Sequence, residues 1–133
     1  MTDSFTPVMR ALVAASLLLA TATVMLVTVA RVHAAGALAV GDCGAFGEAY
    51  NYATPEQASR RALAKCKAAG CQVVATVKRG CAAYAIDYAN ACAARGWGQA
   101  TKLGRAQNAA LRSCYAAGGK ECVIRTFFCD GRG

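Results

Sequence analysis

Histidine occurs once in this 133-residue chain, at His33, and only seven acidic residues stand against fifteen basic ones. Beyond His33 there is none, which excludes Ser-His-Asp and Cys-His catalysis and any histidine-ligated metal site in the rest of the chain. No two cysteines have C-x-x-C spacing, so no zinc finger or ribbon is expected, and the sequence implies no metal and no cofactor. Prolines number two and tryptophans one, Trp97. Carboxylates are equally scarce: after Ala34 there are only Asp42, Glu48, Glu56, Asp87, Glu121 and Asp130.

Eight cysteines are present, at 43, 66, 71, 81, 92, 114, 122 and 129. An even number in a short chain reads as a disulfide framework, provided that the chain is exported. The N-terminus supports export. Ala11 to Ala30 are apolar apart from Ser16, Thr21, Thr23 and Thr28, and "RVHAAG" follows, with Val32 and Ala34 at the small-residue positions of a signal-peptidase site. Residues 1–34 therefore read as a signal peptide, with an uncleaved membrane anchor as the alternative. Residues 35–133 read as one exported domain with 13 basic and 6 acidic residues, too small to be secure on core burial alone.

That domain repeats itself. "ALAKCKAAGCQVVATVKRGC" is followed 48 residues later by "ALRSCYAAGGKECVIRTFFC". Ala58, Ala62, Leu63 and Cys66 fall on Ala106, Ala110, Leu111 and Cys114, which divides the domain into repeats of about 36–81 and 82–133. Thr54, Pro55 and Gln57 form a capping box at the start of a first helix, and Gly70 is expected to stop it. A second helix starts near Thr101 and ends at Gly118 and Gly119. Strands rich in Val, Ile, Thr and Phe follow each helix, and short strands precede each. The order β-β-α-β, twice, predicts an α+β fold: a mostly antiparallel sheet with two helices on one face, stapled by disulfides.

The segments "GALAVGD", "GAFG", "RALAKC…GC", "KRGCAAYAI", "GWG" and "AALRSC…CVIRTFFC" resemble the exported bacterial family called domain of unknown function 4189, over essentially the whole of residues 35–133. The resemblance implies a small, exported, cysteine-stapled domain. It supplies no activity and no catalytic residue. Cys43 and Cys92 look like additions to the family's usual six cysteines.

The repeat suggests a pairing, although sequence alone does not fix one. Local closure Cys66–Cys71 and Cys114–Cys122 is the simplest arrangement. Cys81 and Cys129 each end a third-position strand and are expected to join the halves. Cys43–Cys92 then pair by elimination.

Three functional readings remain open. The favoured one is a non-catalytic binding module at the cell envelope or outside the cell. Its contact surface would draw on Trp97, Arg60, Arg61, Lys65 and Arg79, and its partner would be a protein or an anionic envelope polymer, with no specific nucleic acid. Membrane contact would come only through the N-terminal segment, if uncleaved. A second reading is a small envelope-polysaccharide hydrolase using Asp42 and Asp87, each of which follows the first strand of its repeat; turn chemistry alone also explains both. A third is a secreted inhibitor or effector presenting a long rigid loop at "VKRGCAA".

Overall fold

The computed structural model describes residues 34–131, so the expected signal peptide, residues 1–34, lies outside them apart from Ala34. The element order is β1 (Ala35–Val40), a single 3-10 turn (Asp42–Gly44), β2 (Phe46–Tyr52), α1 (Pro55–Lys65), β3 (Gln72–Lys78), β4 (Cys81–Asp87), β5 (Arg95–Ala100), α2 (Leu103–Ala116) and β6 (Cys122–Cys129). Each repeat builds its own antiparallel three-stranded sheet, in the orders β2-β1-β3 and β5-β4-β6.

The central strands show why there are two sheets. Side chains on a strand alternate between faces. In β1, Ala37 and Ala39 pack with Ala58 and Ala62 of α1. In β4, Cys81, Ala83 and Ala85 pack with Ala106, Ala110 and Cys114 of α2. The alternate residues Leu38, Val40, Ala82, Tyr84 and Ile86 meet one another, with Val77 and Phe128, in a core between the sheets. The expected α+β class and duplicated unit are present. The expected single sheet with both helices on one face is not: the sheets pack face to face, and each carries its helix on its outer side. Central strands buried on both faces leave no solvent side on which two helices could share one surface.

Large side chains fill the middle layer and alanines the two outer ones. Each large residue buried there contributes about 1.5–3 kcal/mol, and an alanine much less. Close approach makes the alanine layers work. Gly47 of β2 and Gly96 of β5 lie directly under the helices; a Cβ on Gly96 would come 2.6 Å from the Ala110 carbonyl oxygen.

Four disulfides complete the fold. Cys66–Cys71 ties the end of α1 to the approach to β3, and Cys114–Cys122 ties α2 to the start of β6. Cys81 and Cys129 are register partners on adjacent strands, with Cα atoms 4.0 Å apart. That bridge lies inside the second repeat and does not join the halves, because Cys81 begins β4 where a strand end was expected. Cys43–Cys92 is the bridge that crosses between repeats. The first helix also stops earlier than expected, at Lys65; Cys66 is already extended, and Gly70 (φ 69°) serves the following turn.

Candidate contact surface

The start of α1 is built as its sequence dictates. Thr54 Oγ1 accepts a hydrogen bond from the Gln57 N–H at 3.3 Å, and Pro55 occupies the first turn. The Glu56 carboxyl is held below its ordinary range, first by a backbone hydrogen bond, then by the Thr54 hydroxyl, with the charges of Lys78 and Arg60 adding to it. A carboxylate at a helix N-terminus also complements the helix dipole.

Because Ala58 and Ala62 point into the sheet, Arg60 and Arg61 point out and are exposed. With Tyr52, Gln57 and Ala64 they line an open concavity of about 500 Å³. No carboxylate lines it. Lys65 is engaged elsewhere, since its Nζ donates to the Glu48 carbonyl at 2.7 Å. Tyr52 and Gln57 were not singled out in the sequence. The signal was there, because Gln57, Arg60, Arg61 and Ala64 follow the i, i+3, i+4, i+7 spacing of one helix face.

Arg79 sits near the start of the same helix. With Lys78 it walls a second concavity, of about 580 Å³, whose other side includes Thr54, Pro55 and Glu56. The segment around Arg79 is no long loop: β3 ends at Lys78 and β4 begins at Cys81. Arg79 takes a left-handed conformation (φ 55°), and its N–H donates to Asp130 Oδ2 at 3.4 Å. Trp97 lies in the other repeat, on β5, with its side chain on the face away from α2 and 38% exposed. The strand registers match it with Glu48, since Trp97 pairs with Tyr84 and Glu48 with Leu38.

Asp42 and Asp87 do not form a pair. Leu38 and Tyr84 hold matching places, so Asp87 matches Gly41, and Asp42 matches Tyr88. Asp87 is buried and accepts hydrogen bonds from the backbone N–H groups of Lys120, Glu121, Ala89 and Asn90. These bonds, Lys120's foremost, hold its carboxyl below the ordinary range, the opposite of what a general acid needs. Asp42 is exposed and forms an ion pair with Arg95 at 3.5 Å, and Arg95 also donates to the Gly41 carbonyl at 2.9 Å.

The seam between β2 and β6 was not foreseen. Glu48 accepts a hydrogen bond from the Thr126 hydroxyl, Tyr50 stacks on Phe128 at 5.9 Å, and the Arg125 guanidinium lies 5.8 Å from the Phe46 ring centre. These contacts close one side of the inter-sheet core. Among the described residues no group of three or more His, Cys, Asp or Glu is placed to hold a metal ion, and no helix is long and apolar enough to cross a membrane.

A family model described as domain of unknown function (DUF4189) matches residues 35–129. The chain belongs to that family. The DUF4189 match runs from the first residue of β1 to the last of β6, so the family unit is the whole duplicated fold, both sheets and both helices. No curated protein and no solved structure matches the chain. A DUF4189 domain with every described cysteine bridged is a small domain suited to an oxidising, extracytoplasmic setting.

Proposed function

We propose that this domain is exported, released from its leader after Ala34, and acts as a non-catalytic module that binds an anionic polymer of the cell envelope. The observation that carries this reading is the concavity on α1, where two exposed guanidinium groups flank an aromatic wall and which no carboxylate lines. Guanidinium groups suit this task because their planar donors grip phosphate, sulfate or carboxylate in a bidentate manner. Lys78 and Arg79 extend the positive field toward the start of the helix. Three of the six carboxylates are engaged elsewhere: Asp87 by four amides, Asp42 by Arg95 and Glu48 by Thr126. With 13 basic residues against 6 acidic ones in residues 35–133, a basic excess remains for an external partner.

The test is retention of the oxidised domain, residues 35–133, on immobilised dextran sulfate, with neutral dextran as control. The domain should bind the sulfated resin, elute as salt rises, and lose most of its retention in the Arg60→Glu/Arg61→Glu variant. Undiminished retention of that variant, with Arg112→Glu on α2 as the comparison, would place the contact elsewhere.

A further inference from the structure

The four disulfides differ sharply in access. Cys81 and Cys114 are fully buried, and Cys66 and Cys122 nearly so, which leaves each of those three bridges at least half shielded. Cys43 and Cys92 are both exposed. Their bridge forms part of the wall of an open cavity of about 500 Å³, together with Asp42, Arg95 and Ala117. It is also the only one of the four that joins the two repeats.

We propose that Cys43–Cys92 is a thiol–disulfide exchange site, opened by an external dithiol while the other three bridges stay closed. Exchange requires a thiolate to approach a sulfur along the S–S axis, so access selects which bridge reacts. Arg95 and Asp42 face the same cavity as an ion pair, so their charges offset one another and access, not local charge, selects this bridge. The dithiol's thiolate attacks one cysteine sulfur and forms a mixed disulfide; the S–S bond breaks, and the other cysteine leaves as a thiolate that takes a proton from water. The dithiol's second thiolate then attacks the mixed disulfide and releases the first cysteine. The dithiol leaves as its own disulfide, and two electrons have passed to Cys43 and Cys92.

The consequence is local. The turn holding Cys43 is left-handed at both Cys43 (φ 52°) and Gly44 (φ 78°), and opening the bridge frees it. Each repeat keeps its own bridges: Cys66–Cys71 in the first, Cys81–Cys129 and Cys114–Cys122 in the second. Redox state then sets whether the two repeats are covalently tied at this end.

Limiting dithiothreitol under native conditions, followed by quenching with iodoacetamide and peptide mapping, tests the proposal. Cys43 and Cys92 should be alkylated roughly ten-fold faster than the other six. The doubly alkylated protein should keep its circular dichroism spectrum. A Cys43→Ala/Cys92→Ala variant should show no fast phase of alkylation. Labelling of any other cysteine at an equal or greater rate, or loss of the spectrum as the first two are labelled, would overturn it.

Discussion

Tyr84 and Leu38 hold the same place at the centres of the two sheets, and only the tyrosine carries a hydroxyl. Both are fully buried in the inter-sheet core. The Tyr84 hydroxyl has no hydrogen-bond partner among the described residues, and desolvation raises its pKa, against smaller opposing contributions from Arg95 and Arg125. A buried unpaired hydroxyl costs about 1–3 kcal/mol. Tyr84→Phe should therefore stabilise the domain by about 1 kcal/mol in urea denaturation, within that range. A loss of stability on the same scale would show that the hydroxyl is satisfied by water.

The glycines under the helices predict a contrast. Gly96→Ala should cost about 3 kcal/mol or more, because its Cβ would press on the α2 backbone at Ala110 and Cys114, which cannot yield as a side chain can. Gly104→Ala, on α2 with nothing within 4 Å, should stabilise by about 0.5–1 kcal/mol through helix propensity. Thermal melts of the two variants would check the pair; similar effects from both would contradict the packing.

Asp87 predicts an acid limb. Its carboxyl titrates lower in the folded state than in the unfolded chain, so the stability that it contributes is complete above the unfolded value and is lost as pH falls through the folded one. Asp87→Asn should destabilise at neutral pH and flatten the loss of stability below the ordinary carboxylate range. Denaturation midpoints measured across that range for both proteins would show whether the curves converge in acid, as expected, or stay parallel.

Ring size orders the bridges. Cys43–Cys92 and Cys81–Cys129 enclose 49 and 48 residues, against 5 and 8 for the local pair. Loop-closure entropy assigns about 4 kcal/mol to each long ring and about 2 to each short one. Replacing both members of each pair by alanine and comparing denaturation midpoints tests the order. Equal losses from all four variants would contradict it.

Much of this fold was legible in local chemistry. Thr54-Pro55-x-Gln57 is a local helix-start signal and starts α1 here, and the doubled Ala-Leu-x-x-Cys pattern reveals the duplication. What stayed hidden depends on registers that no local pattern carries. The helices align at an offset of 48, but Leu38 matches Tyr84 at 46 and Gly47 matches Gly96 at 49. That drift made Asp42 and Asp87 look like a pair. "GALAV" and "AAYAI" alternate small and large residues, the mark of a strand covered by a helix on one face and a second sheet on the other. Read as composition, they gave only hydrophobic strands, and the second sheet was missed. At the candidate surface the arginines were visible, but Tyr52 joins them only when β2 lies beside α1.

The α1 concavity is the centre of this account, and residue-resolved NMR tests it most directly. The ¹⁵N-labelled oxidised domain would be titrated with a short sulfated dextran. The account predicts that the largest amide and guanidinium shifts fall on Tyr52, Gln57, Arg60, Arg61 and Ala64, weaken as salt rises, and disappear in the Arg60→Glu/Arg61→Glu variant. Shifts centred on Trp97 and Arg95, or no shifts at all at low salt, would contradict it.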